Sequence, residues 1–317
     1  MRTILNPTKA PSSIVAILAA LAALVGCGEQ SGSGEGVSVV ASTTQVADLA
    51  ANVAGERADV RAILEPTSDP HEYEPQPSDA EALAEADLVL GSGGEVDFWL
   101  AQLVEGSGSD APVVELVDAA RTIPEAEGEE VDPHWWQDPT NASLAIDAIR
   151  DQLTEIDPGG REVYANNAAA YAAELRRLDS QVSRCMSRVP ASQRKLVTSH
   201  DALGPYAARY DIEIIGAAIP ALTTQAQASA GETAELIELI RETDVRTIFP
   251  EAGVSAELET AIADGSGAAV GDELWADALG PAGSDGATYL EAMASNTEKL
   301  VEGFTGGAEA CTIDVGR

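Results

Sequence analysis

Short apolar runs alternate with amphipathic stretches along most of the chain. Val37–Ala41 (Val-Ser-Val-Val-Ala) is brief and β-branched, which reads as a buried strand. Residues 44–54 carry Val46, Leu49, Ala50 and Val53 at helical spacing. Val60–Leu64 reads as a second strand, followed by the loop Glu65-Pro66-Thr67-Ser68-Asp69-Pro70 that ends at His71. Ser78 is the expected N-cap of a helix over 79–86, with Glu81 at the capping-box position. Strand Asp87–Leu90, helix 96–104 and strand 113–117 continue the alternation. Strands and helices in this order predict a parallel sheet with helices on both faces.

Residues 121–133 are acidic and aperiodic, a loop leading to His134, and helix 142–156 follows. The longest periodic stretch runs from Arg161 to Val189. Its stripe of Tyr164, Tyr171, Leu175, Leu178, Val182, Cys185 and Val189 has intervals of 7, 4, 3, 4, 3 and 4. A helix of this length reaches roughly 40 Å, enough for a strut between two lobes. A coiled-coil dimer is the competing reading of the same stripe. After Pro190 the alternation restarts: strand Lys195–Thr198, helix 201–209, strand Ile212–Ile215, helix 232–242, strand Thr247–Phe249, helix 255–264, strand 268–270 and helix 286–304. The expected fold is therefore α/β, with lobes at 37–158 and 190–317, each a mostly parallel sheet flanked by helices. One long helix, 159–189, joins them. Clefts in such sheets open beyond the carboxyl ends of strands, where His200 and Glu251 fall.

The N-terminus differs from all this. Arg2 and Lys9 precede an apolar run from Ile14 to Val25, too short to span a bilayer, so residues 1–26 read as a signal peptide. Leu24-Val25-Gly26-Cys27 resembles the lipobox of bacterial lipoproteins, which implies cleavage before Cys27 and its acylation. An uncleaved anchor would leave the chain tethered in the same place. Residues 27–36 have the Gly/Ser-rich composition of a flexible tether. The expected location is extracytoplasmic, lipid-anchored to the outer face of the cell membrane.

The formal net charge is −35, and removal of the leader with Arg2 and Lys9 makes it −37. Such a surface repels nucleic acid and anionic headgroups, which are bound through Lys and Arg. A solvated acidic surface explains the charge without a specific role. Apart from Cys27, only Cys185 and Cys311 remain, and outside the cytoplasm an even pair usually forms a disulfide.

Only three histidines occur in 317 residues: His71, His134 and His200, each in a polar loop or strand-end setting. Their intervals of 63 and 66 residues exclude a zinc finger or an HExxH helix. Any shared metal site must be assembled by the fold. On spacing alone, solvated loop residues explain them equally well. No lysine lies in a Gly-Lys-Ser/Thr setting, which removes a P-loop, and Gly91-Ser92-Gly93-Gly94 lacks the third spaced glycine of a dinucleotide loop.

From Val39 to about Phe304 the chain resembles the zinc- and manganese-binding lipoproteins of bacterial ABC importers, the cluster A-I solute-binding proteins. Asp69-Pro70-His71-Glu72-Tyr73-Glu74-Pro75 matches that family's first ligand motif, and Asp132-Pro133-His134-Trp135-Trp136-Gln137-Asp138-Pro139 its second. Ser199-His200-Asp201-Ala202-Leu203-Gly204-Pro205 looks like the third. Gly271-Asp272-Glu273-Leu274-Trp275-Ala276-Asp277 looks like the fourth, with Asp277 at the ligand position. Tyr289 and Asn296 sit where the family's last helix carries its Tyr and Asn.

The resemblance implies a metal held between lobes by His71, His134, His200 and Asp277, with Glu251 as a supporting acid. Three imidazoles and one carboxylate favour Zn2+, with Mn2+ as the alternative. It also implies delivery to an ABC permease and its cytoplasmic ATPase, by a monomer that performs no bond chemistry. Two other readings stand beside it. One is a zinc hydrolase with water on a three-histidine zinc, and the other an adhesin-type lipoprotein stabilised by its metal. Many zinc members carry a His-rich loop before the second ligand, whereas residues 121–133 offer Glu125, Glu127, Glu129 and Glu130 and no histidine.

Overall fold

Residues 36–120 and 131–316 are described by the computed structural model. The expected leader, the acylated Cys27 and all but the last residue of the tether lie outside them, as do residues 121–130 of the acidic loop. From Gly36 onward the chain packs as one body.

The first lobe is built on β1 (Val37–Ala41), β2 (Ala58–Ala62), β3 (Leu88–Gly91) and β4 (Val113–Glu115), all parallel and ordered β2-β1-β3-β4. The central strand β3, Leu-Val-Leu-Gly, is buried throughout, while the outer strand β2, Ala-Asp-Val-Arg-Ala, sends charged residues outward. That contrast follows from covering both faces of the sheet centre with helices. Alternate side chains face opposite ways. Val39, Ala41, Leu88 and Leu90 join the core under α1 (Thr44–Ala54) and α4 (Pro139–Ile156). Val40 and Val89 pack with Leu83 of α2 (Pro77–Ala84) and Leu100 of α3 (Leu100–Ser107).

The same plan recurs in the second lobe. Strand β5 (Lys195–His200) pairs in parallel with β6 (Glu213–Ile219), and β7 (Thr247–Ile248) with β8 (Ala269–Val270). A parallel bridge from Thr198 to Phe249, with Phe249 N donating to Val197 O at 2.9 Å, joins the two pairs in the order β6-β5-β7-β8. The helices are α6 (Gly204–Tyr210), α7 (Ala230–Thr243), α8 (Glu257–Ser266) and α9 (Tyr289–Thr305).

Between the lobes runs α5 (Arg161–Met186), 26 residues long. Its stripe of Tyr164, Tyr171, Leu175, Leu178 and Val182 is buried within this chain, against helices of both lobes, so it offers no seam for a coiled-coil partner. Cys185 and Cys311 form a disulfide with Cα atoms 5.8 Å apart, tying the C-terminal tail to the end of α5.

Several element boundaries differ from the sequence expectation, each for a local reason. Helix α4 starts at Pro139 rather than 142 because Asp138 caps it, accepting from Thr140 N at 2.8 Å, and proline fits the first helical position. At α2 the cap is Gln76 rather than Ser78, and Asp79 closes the capping box by accepting from Gln76 N at 2.6 Å. Strand β6 runs on to Ile219 through Gly216-Ala217-Ala218, a small-residue segment that admits Leu236 closely over Gly216. No helix among the described residues is long and apolar enough to cross a membrane.

Candidate metal centre

Each sheet delivers its histidines at the carboxyl ends of strands. His71 lies in the loop after β2, where Asp69 Oδ1 accepts from its backbone N at 2.9 Å. His134 lies between β4 and α4, and Asp132 Oδ1 accepts from both its backbone N (2.9 Å) and its Nδ1 (2.8 Å). His200 is the last residue of β5. Its Nδ1 lies 2.8 and 2.9 Å from the two Glu251 oxygens, and its backbone N donates to Glu251 Oε1 at 3.1 Å. Asp277 sits in the loop between β8 and α9.

These four side chains, far apart in sequence, meet at one point. One ligand atom from each lies within 4.8 Å of every other. Asp277 Oδ2 is 3.2 Å from His71 Nε2 and 3.1 Å from His200 Nε2, and its Oδ1 is 3.7 Å from His134 Nε2. All four are buried, Asp277 the most accessible at 8%. Among the described residues, nine buried side-chain N and O atoms lack a hydrogen-bond partner. Six of them belong to this set: both ring nitrogens of His71, Nε2 of His134 and His200, and both oxygens of Asp277. Unpaired buried polar atoms are costly, and here all of the six but His71 Nδ1 face one point, the donor arrangement a divalent cation requires.

The flanking acids fix the chemistry of the rings. In the neutral ring, a carboxylate behind Nδ1 holds the proton there and leaves the Nε2 lone pair facing the centre, the placement that Asp132 has at His134 and Glu251 at His200. His71 has no such acid; its Nδ1 is unpaired. Burial opposes charge on His200, but the carboxylates of Glu251 and Asp277 outweigh it and raise the imidazole well above its ordinary value. Burial likewise opposes ionisation of Asp277, yet His200 and His134 hold its carboxyl well below the usual range.

The remaining sequence candidates fall around this centre. Asn296 clasps Trp275, accepting from its N at 2.8 Å and donating to its O at 2.7 Å, and Tyr289 OH donates to Trp136 O at 2.6 Å. The loop Gly91-Ser92-Gly93-Gly94 spends its amides internally, Ser92 N and Gly93 N donating to Asp97 at 2.7 and 2.9 Å, while Ser92 O accepts from Trp135 Nε1 at 3.1 Å. Sequence reading passed over Asp132. Its signal was the repeated tripeptide Asp-Pro-His at 69–71 and 132–134, a turn in which the acid bonds the histidine amide two residues on.

Residues 39–303 match the family model described as zinc-uptake complex component A, periplasmic. The manganese-binding lipoprotein MntA of Halalkalibacterium halodurans is 33% identical over 298 residues, spanning 93% of this chain and 98% of that protein. The iron-binding protein YfeA of Yersinia pestis is 31% identical over 269 residues, 84% of this chain and 86% of its own. Among solved structures, the periplasmic zinc-binding protein TroA from Treponema pallidum superposes with a TM-score of 0.79 at 27% identity, over 85% of this chain and 99% of TroA.

Proposed function

The chain belongs to the zinc-uptake complex component A family, and from that premise we propose that it captures a divalent transition metal and hands it to an ABC permease with its cytoplasmic ATPase. The ligands are His71, His134, His200 and Asp277, with Asp132 and Glu251 orienting two of the rings. The lobes at 37–158 and 190–317 close on the ion, linked by 159–189. Residues 1–26 direct export, and acylation at Cys27 anchors the protein to the outer face of the membrane. The carrying observation is the convergence of four buried, mutually facing ligand groups with unpaired lone pairs.

Capture and release need no bond chemistry. A carboxylate at the fourth position would occupy the place a reactive water needs, which favours capture over the hydrolase reading. Zinc is the favoured ion because three imidazoles and one carboxylate suit a borderline, four-coordinate metal. The names of relatives point to manganese and iron as well, and nearly every such site ranks zinc above manganese in affinity. Coordination number is therefore the better test. Cobalt placed in the chelator-stripped protein should show the intense visible bands of a four-coordinate ion. Weak bands of a six-coordinate ion would overturn the zinc assignment, and failure to retain any divalent metal would overturn the function.

A further inference from the structure

Asp277 belongs to the second lobe by sequence, yet its immediate backbone is held by the first. The carbonyl of Ala276 accepts three side-chain donors: Trp136 Nε1 and Gln137 Nε2 at 2.9 Å each, and Gln45 Nε2 at 3.4 Å. On the other side of Asp277, Leu279 N donates to Thr44 Oγ1 at 2.8 Å, and Leu279 O accepts from Thr67 N at 3.0 Å. Bonds to its own lobe stop just short of this segment. Leu274 N donates to Pro250 O at 2.8 Å, and Asn296 clasps Trp275. The hold thus changes lobe between Trp275 and Ala276, immediately before the candidate ligand.

Gln45, Trp136 and Gln137 are buried, 1–2% exposed. A carbonyl oxygen has two lone pairs, so three donors saturate it and leave it little freedom to turn. Buried amides drawn to one acceptor are costly to separate, because each then loses its partner. Turning the Ala276 peptide swings the Asp277 carboxylate relative to the three rings.

Resting on the metal-capture reading above, we propose that Gln45 and Gln137, with Trp136, are positioning residues that set how long the ion is retained. They dock the Asp277 loop onto the first lobe. The carboxylate completes the site only while the lobes are together, and separation of the lobes withdraws it from His71 and His134. Release therefore begins at Asp277 rather than at a histidine. Trp136 also packs on His134, ring centroids 5.4 Å apart, so the two glutamines are the cleaner probes.

The test is the rate at which zinc passes from the loaded full chain to a chromogenic chelator. Gln45→Met and Gln137→Met keep side-chain volume and remove the donor. Each should speed loss about fivefold, and together roughly twentyfold, as expected of one and two hydrogen bonds. Metal-free melting temperatures should stay close to the parent's. On an Asp277→Asn background, itself fast-releasing, the double change should add less than about twofold, because the carboxylate through which it acts is gone. Equal acceleration on both backgrounds, or none on the parent, would overturn the proposal. If Asp277→Asn leaves release unchanged, the ligand assignment itself fails, a distinct result. Should Gln137→Met not fold, Gln45→Met with Thr44→Val carries the same comparison.

Discussion

The two lobes share a strand order but hold the proposed ligands differently. In the first, His71 and His134 ride on Asp-Pro-His turns, loops rigidified by the acid two residues earlier. In the second, His200 is part of β5, steadied by Glu251 just past β7, and the backbone beside Asp277 is bonded to the opposite lobe. The first sheet is regular, with five paired positions between β1 and β2. The second has a register break at Leu196/Val197 and two-residue strands β7 and β8. On the proposed assignment, one lobe offers a finished half-site and the other a half-site completed by docking.

Removing a histidine from either side should have the largest effect. His71→Ala, His134→Ala and His200→Ala should each weaken zinc binding by about 3–4 kcal/mol, a quarter of a typical structural zinc site, measured by competition with a chelator. If the His200 variant alone bound normally, the centre would belong to one lobe. Opening the disulfide should separate stability from binding. Cys185→Ala with Cys311→Ala should lower unfolding stability by about 2–4 kcal/mol in denaturant titration and leave the zinc affinity in place.

The supporting acids come next. Asp132→Asn and Glu251→Gln should each cost roughly 10–100-fold in affinity at pH 8. They should part company as pH falls. Because Glu251 and Asp277 favour the cationic form of His200, its proton competes with metal from above pH 6.5, and affinity should decline from there downward. Glu251→Gln should move that onset to lower pH, read from chelator competition between pH 8 and 5.5. An unmoved onset would mean that another group sets it.

The smallest effect concerns the join. Asp48 on α1 accepts from Tyr289 N, at the start of α9, and from Tyr171 OH on α5, each at 3.2 Å. Burial nevertheless pushes its carboxyl up to about 6. A raised acid disfavours folding once the unfolded chain ionises. The penalty is absent below about pH 4, grows between there and pH 6, and persists above. Asp48→Asn should therefore stabilise the metal-free protein at pH 8 by about 1–2 kcal/mol, discounted for partial exposure, and not at pH 4. Thermal melts at the two pH values decide it.

Much of this was legible along the chain, and what was not has a common cause. The strand–helix alternation, the strut helix and the cysteine pair follow from local periodicity and composition. The histidines were conspicuous through rarity and setting. Asp277 carried no such mark among 53 acidic residues, and only resemblance singled it out. Glu251 was visible as a strand-end acid, but its pairing with His200 spans 51 residues. The clamp on Ala276 spans 139, 140 and 231 residues and ends on a carbonyl, a group every residue possesses. No sequence pattern encodes an acceptor of that kind. The Asp138-Pro139 cap, by contrast, was written locally, and its start signal places α4 three residues before the apolar stripe does.

The tail past Cys311 bears on how the molecule can be handled. Gln181 of α5 exchanges two hydrogen bonds with Asp314, at 2.8 and 3.0 Å, and Gly316 lies beside Arg177. A dye or surface linker attached at that end would ride on the central rod together with α9, whose Glu298 Oε1 accepts from Ile313 N at 2.7 Å. Paired with a second label on β6 or α7, it would report swinging of those elements against the rod.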